Sequence, residues 1–412
     1  MRKLSFFRTL ALPALLLAGC TATPEVDTIL DRAEQALGGP RVMAGLDTLR
    51  LETQGTWGAP ALGIPPMPYE GLVVIDLPDR IYWEIRPQGG EKMVSGFDGK
   101  EAWSAWNGPP ARVTGWARQG LIDGLNDFKA LLVGPARAGK GAEFTLLSSR
   151  PEGDPPAWKI RYRPAQGEEW TLWFDPTTGA MVRSELDYIF MMDGGKVHGT
   201  RQWGAYKDFG AIRFPSRGRF RGSREGRLFE EVIEKYKTVE VNEKIPENLF
   251  RYPKPGLDGK AVRIKTVPAR TVAVIEHRGP FTAMGATIKR LKGLLAQAGL
   301  MSMGPMGAIY LAVPGQVPEP ELKAEVFCSV MLMGPAPKLP PGLALKQVPP
   351  LKVAWTYHLG DHREEGEAHE RLQRFLAEKG LKAAAPPRAV WFHDPEITVT
   401  EDLVSEVRIP VE

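Results

Sequence analysis

Cysteine is nearly absent from this chain: 412 residues hold only Cys20 and Cys328. A fold stapled by several disulfides is therefore excluded. Histidine is scarce too, with six residues. His358, His362 and His369 lie close in sequence, but they show neither zinc-ligand spacing nor a HExxH pattern. His369 also falls on the apolar stripe of a helix, so no metal site is expected. No Gly-rich phosphate loop and no GxSxG elbow appear, and nothing points to a catalytic triad. No cofactor and no catalytic residue is expected from motifs. Long charge runs and low-complexity tracts are missing, which excludes a largely disordered chain. The length suggests two or three domains at ~100 to 200 residues each.

The N-terminus is more specific. Arg2, Lys3 and Arg8 precede an apolar run from Leu10 to Leu17, too short to span a bilayer and laid out like a secretory signal. Leu17-Ala18-Gly19-Cys20 follows, and it resembles the bacterial lipobox. That resemblance implies a signal peptide over 1–19 and a mature chain that begins at Cys20. It also implies that the Cys20 thiol carries acyl chains such as palmitate and tethers the protein to a membrane, outside the cytoplasm. An acylated Cys20 could not pair with Cys328. Thr21 stands where an aspartate would hold many such lipoproteins in the inner membrane, so the expected location is the outer membrane, facing the periplasm. Without Arg2, Lys3 and Arg8 the formal charge falls from +4 to +1. The basic balance thus gives no reason to expect a nucleic-acid partner, and the N-terminal region shows no helix-turn-helix pattern.

From 20 to 252 the pattern is one helix followed by many short strands. Val26, Ile29, Leu30, Ala33 and Leu37 form a helical stripe that Gly38-Gly39 ends. Runs such as LRLETQGTW, GLVVID, RIYWEIR and WKIRYR read as strands, and 116–133 reads as a second helix lying on the sheet. Trp103, Trp106, Trp158, Trp170 and Trp173 are expected in the core rather than around a ligand. Arg217, Arg219 and Arg221 alternate, as on the solvated face of an edge strand. A curved antiparallel half-barrel with a helix across its concave face is expected. The landmarks Gly96-Phe97-Asp98-Gly99, Asp175-Pro176 through Gly179, and Asn248-Leu249-Phe250 resemble the LolA/LolB-like lipoprotein carriers. This resemblance implies a hollow that holds lipid acyl chains.

A Pro/Gly-rich linker, 253–261, precedes a second domain over 262–412. Within it the sequence repeats. VAVIEHRG at 272–279 returns as VAWTYHLG at 353–360, and a shift of 81 aligns 267–330 with 348–411 without a gap. About 20 of the 64 aligned pairs are identical. Each copy reads strand, helix, strand, strand, so two copies are expected to close on each other around a pseudo-twofold cleft. The expected fold class is α+β throughout: the half-barrel, then this tandem-duplicated unit.

Val267-Pro268-Ala269, His277-Arg278-Gly279-Pro280-Phe281, Gly307-Ala308-Ile309-Tyr310, Pro314 and the closing Glu406-Val407-Arg408-Ile409-Pro410-Val411 resemble the GyrI-like effector-binding domain. That resemblance implies a central pocket for bulky, often cationic aromatic compounds, with Glu406 as its acid. From the residues themselves, Glu325 and Glu406 occupy matched positions, as do Tyr310 and Trp391, and together they could make an aromatic cleft with a negative floor. Trp355 and Tyr357, which replace Val274 and Glu276 in the second copy, could add to its wall or belong to plain core. The expected function is an envelope lipoprotein that binds a small hydrophobic or cationic aromatic molecule, without enzymatic activity. The alternative is a hydrolase with Glu406 as general acid or base and Tyr310 polarising the substrate.

Overall fold

The computed structural model describes residues 23–412 apart from 63, 89–91, 107, 191–194, 301, 313–315, 331 and 333–336. The signal segment, Cys20, Thr21 and Pro314 lie outside the described residues. Two antiparallel sheets organise the chain.

The first sheet holds thirteen strands: β1 (Thr48–Ala59), β2 (Ile64–Asp76), β3 (Arg80–Pro87), β4 (Met93–Phe97), β5 (Ala102–Ala105), β6 (Ala111–Val113), β7 (Glu143–Leu146), β8 (Trp158–Arg163), β9 (Trp170–Phe174), β10 (Met181–Ile189), β11 (Lys196–Phe209), β12 (Ile212–Arg224) and β13 (Arg227–Val241). Strands consecutive in sequence pair with each other except β6 and β7, which form the two edges, and β1 pairs with β13, so the order runs β6 to β1 and then β13 to β7. Helices α1 (Val26–Ala36), α2 (Pro40–Ala44), α3 (Gly115–Leu132) and α4 (Gly134–Ala138) accompany this sheet, which curls into a half-barrel around α1 and α3. Ile29, Leu30 and Ala33 of α1 share one core with Leu121, Leu125 and Phe128 of α3 and with strand residues from Leu49 to Phe214.

Strand alternation separates the two faces. Val73 enters the concave core, while the next residue, Val74, packs outside with Tyr82, Trp103 and Phe250. Trp103 donates its indole N–H to the Phe250 carbonyl at 2.8 Å, which fastens the end of this region to the convex face. Trp158 and Trp170 lie in the concave core, as expected of core tryptophans, whereas Trp106 is exposed. The alternating arginines are not on an edge. They belong to β12, which lies inside the sheet between β11 and β13, where Arg219 and Arg221 reach Glu231 at 2.7 and 2.8 Å. Alternation gives the solvated face but not a strand's place in the sheet.

Residues 242–262 carry no strand or helix and lead to the second sheet. Its strands are β14 (Arg263–Val267), β15 (Arg270–Arg278), β16 (Ser302–Tyr310), β17 (Lys323–Val330), β18 (Ala344–Val348), β19 (Leu351–Leu359), β20 (Arg388–Trp391) and β21 (Val404–Pro410). Their order is β14-β19-β21-β20-β16-β17-β15-β18. The pairing registers obey the 81-residue offset. Glu276 faces Glu325 as Tyr357 faces Glu406, and Ala308 faces Ala389 at the centre. The first strand of each half crosses over: β14 pairs with β19, and β18 with β15.

The frame residues of the repeated phrase explain themselves locally. Gly279 and Gly360 take φ of 102° and 106°, a region that disfavours any Cβ. Their amides donate to the carbonyls of Leu322 and Leu403 at 2.9 and 2.8 Å. His277 Nε2 and His358 Nε2 meet the carbonyls of Pro280 and Asp361, three residues on, and tie the same turn twice.

The two sheets dock through a short antiparallel bridge, Val113 with Thr398. The Thr114 amide donates to Ile397 at 2.7 Å and the Val399 amide to Arg112 at 3.1 Å. Arg112 grips the buried Asp402 through Nε at 2.7 Å and Nη2 at 3.1 Å. Burial alone would raise the Asp402 carboxyl, but Arg112 holds it below the usual carboxylate range. A second contact lies elsewhere, where Ala296 packs against the cluster that holds Ile64, Phe190 and Phe229.

Asp402→Ala removes the anchor of this contact. We expect it to lower stability by about 2 kcal/mol and to speed protease cleavage within 242–262, measured by thermal melting and limited proteolysis. Unchanged melting and unchanged cleavage would contradict the docking described.

Candidate ligand-binding site

Helices α5 (Met284–Gln297) and α6 (Gly366–Lys379) cover the same face of the second sheet, one over each half. Met284, Leu291 and Leu295 bury against Ile275, Val326 and Ala308, and Ala368, Leu372 and Leu376 against Ala354, Val407 and Ile409. Between the helices run the central strands β16 and β20. The residues that face each other there are the small Ala308 and Ala389, which leave the middle of this face open. Tyr310 and Trp391 flank them on the same face, two residues along their strands.

The acid of this cleft is Glu365, at the N-cap of α6. It is 4% exposed. The Tyr310 hydroxyl donates to its Oε2 at 3.1 Å and the Trp391 indole N–H to its Oε1 at 2.9 Å. Burial pushes the Glu365 carboxyl up, against hydrogen bonds from Ser405, Tyr310 and Trp391 that favour the charged form. The N-terminus of α6 favours the same charge. No Lys or Arg pairs with Glu365 among the described residues. Aromatic rings surround it: Phe281 lies 5.0 Å from Tyr310 between ring centres, His369 meets Tyr310 edge-on at 5.4 Å, and His362 lies 6.2 Å from Trp391. Burial depresses both His362 and His369 to about 4, so both rings are neutral at pH 7.

Of the six residues proposed from sequence for a ligand, the structure brings only Tyr310 and Trp391 into this cleft. Glu325 and Glu406 are not beside them, and parity is the reason. Glu325 pairs across the ladder with Ile309, not Tyr310, and Glu406 with Val390, not Trp391. Both carboxylates therefore point to the opposite face. Each already has a cation: Glu406 meets Lys265 at 2.7 Å and Arg408 at 2.5 Å, and Glu325 meets Lys346 at 2.5 Å. Trp355 and Tyr357 share that face, stacked edge-on at 5.0 Å, with the Lys265 ammonium 4.3 Å from the Trp355 ring. Glu365 was not singled out from sequence. Its signal was there: the aligned position in the first half is Met284, a charge-for-apolar difference between the copies.

The cleft opens into a larger cavity of about 2700 Å³ that continues into the half-barrel. Tyr310, Glu365 and His369 line one end, and Val73, Trp83, Leu121, Phe128 and Leu186 line the other. The hollow of the half-barrel is not wholly apolar. Arg201 bridges Asp127 at 2.8 Å and Glu234 at 2.9 Å, and Tyr69 and Tyr236 donate to Glu234 at 3.1 and 2.8 Å.

No curated protein matches the chain. Solved structures similar to it include the C-terminal domain of EcmrR, 18% identical, covering 37% of this chain and 97% of that one at a TM-score of 0.33. The LolA superfamily protein NE2245 from Nitrosomonas europaea is 14% identical and covers 55% of this chain and 96% of its own, at a TM-score of 0.39. A hydrolase from Listeria innocua is 12% identical and covers 37% and 92%, at a TM-score of 0.27. The family described as the GyrI-like small molecule binding domain matches residues 260–412, and this part of the chain is such a domain.

Proposed function

We propose that the protein binds an organic cation with an aromatic or apolar body, in the cleft between α5 and α6, with Glu365 as the charge partner. The observation that carries this reading is a buried carboxylate, ringed by aromatic side chains, that has no Lys or Arg ion pair among the described residues. Ring faces and a desolvated carboxylate both favour a positive group. The continuity of the cleft with the half-barrel supports a ligand whose apolar part extends into that hollow, or a lipid chain held there. The lipobox supports placing the whole assembly on a membrane of the cell envelope, through an acylated Cys20. None of the described helices is long and apolar enough to cross a membrane. The hydrolase alternative built on Glu406 and Tyr310 has no support in the geometry, since those two groups occupy opposite faces of the sheet.

Glu365→Gln keeps the shape of the side chain and removes its charge. Affinity for a hydrophobic quaternary ammonium compound, measured by calorimetry at pH 7, should fall roughly tenfold to a hundredfold. Thermal stability at that pH should be unchanged or higher, because a carboxyl whose folded pKa is raised destabilises the fold when it is ionised. Undiminished affinity would overturn the assignment.

Binding should also depend on pH. The cleft needs Glu365 ionised, so affinity for a permanent cation should be constant above the raised pKa and fall as pH drops through it. Protonation of His362 and His369 near pH 4 would then add repulsion. The Glu365→Gln variant should lack the first of these steps. A wild-type affinity that rises on acidification would contradict this reading.

A further inference from the structure

The face of the second sheet opposite the cleft carries a charge arrangement of the other sign. Arg388 and Arg408 sit directly across from each other on β20 and β21, 7% and 6% exposed. Like charges in register on one sheet face repel and destabilise the pair. Arg270 joins them from β15, its guanidinium 5.4 Å from the Phe327 ring centre. The three guanidinium groups share a single hydrogen bond to a carboxylate, Arg408 Nε to Glu406, and Glu406 is also held by Lys265. Arg388 and Arg270 have no hydrogen-bond or ion-pair partner among the described residues. Nε of Arg270, Nε of Arg388 and Nη1 of Arg408 are buried donors without an acceptor, and the buried Trp355 indole N–H is another. Burial first, then the charge of Arg408, depresses both Arg388 and Arg270, the latter to about 10.

Glu325 on this face is taken by Lys346, and Glu406 by Lys265 and Arg408. The guanidinium groups of Arg270 and Arg388 and the orphaned donors beside them stay unmatched, which is costly for the protein alone because each unpaired buried polar group loses its hydration. An oxyanion would satisfy several at once, and guanidinium forks match the planar geometry of a carboxylate. The surroundings define the rest of the molecule. Phe327, Val390, Trp355 and Tyr357 share the face, and Phe392 lies 6.4 Å from Tyr357. Arg270 and Arg408 line the large cavity, which provides a route in.

We propose that this arginine layer is a second ligand site, on the reverse of the sheet from the cleft, and that it takes an aromatic carboxylate. The carboxylate meets Arg388 and Arg408, and its ring lies among the aromatic side chains. This site is independent of the cation cleft: it shares none of the groups that hold Glu365.

The test uses the chain from Thr23 onward and calorimetric titration with 2-naphthoate, benzoate and sulfate. Naphthoate should bind, more tightly than benzoate and sulfate. Arg388→Met should weaken naphthoate at least tenfold and leave quaternary ammonium binding in the cleft unchanged. The same variant should melt at the same or a higher temperature without ligand, since it removes a buried charge that has no partner. That melting result also shows whether the variant folds, and Arg270→Met provides a second variant for the same comparison. Absent naphthoate binding, binding indifferent to both substitutions, or sulfate bound as tightly as naphthoate would each overturn the proposal. Failure of Glu365→Gln to affect the ammonium compound would count against the cleft and not against this site.

Discussion

The pairing of β16 with β20 is the constraint on which the rest depends. With Ala308 set against Ala389, the two halves meet at their smallest side chains, and their helices are held apart over the same face. Register on a pleated strand is binary: a slip of one residue would turn Tyr310 and Trp391 to the reverse face and present Ile309 and Val390 to the helices. The cleft exists because that choice is made at the centre. The outer strands exchange between halves, which ties each half to the other's edge and leaves neither free to slip alone.

One sheet, then, separates two chemistries. On the helix side a carboxylate lies buried among rings with only hydrogen-bond donors for company. On the reverse side Glu406 and Glu325 are taken by Lys265, Arg408 and Lys346, and the buried Nε groups of Arg270 and Arg388 are left without an acceptor. Neither arrangement is explained by stability, since a buried charge without a counter-charge costs the fold free energy. Polar groups left in that state are most simply understood as waiting for a partner that is not part of the chain. The half-barrel differs: Arg201, Asp127 and Glu234 satisfy one another inside the hollow, and they read as a closed internal network.

Much of the architecture was legible because it rests on short-range pattern. The stripe from Val26 to Leu37 gave α1, the apolar spacing from Leu121 to Leu132 gave α3, and the repeat with its fixed offset gave the pairing logic of the second sheet. The retained His and Gly of the repeated phrase are turn residues, as their φ values and hydrogen bonds make plain. What was not legible was which face of a strand looks inward. Glu406 and Tyr310 both sit on central strands beside aromatic neighbours, and one residue of parity separates them. Glu365 escaped notice because it lies between a short turn, His362–Glu364, and the first residue of α6, where periodicity carries no information and only comparison with Met284 marks it. The interior place of β12 comes from hairpins to β11 on one side and β13 on the other, and alternation along a single strand does not report how many neighbours it has.

Docking of the second sheet on the rim of the first gives the cleft a neighbour as well as a floor. The Arg112 and Asp402 contact and the Ala296 contact sit on different parts of the rim, so the cavity between them belongs to both units. A crystal structure of the chain from Thr23 onward grown with a hydrophobic quaternary ammonium compound tests the central claim most directly. Electron density for the cation between α5 and α6, within contact of the Glu365 carboxylate and the Tyr310 ring, is the predicted result. Density on the reverse face beside Glu406, with the α5 and α6 cleft empty, would contradict it.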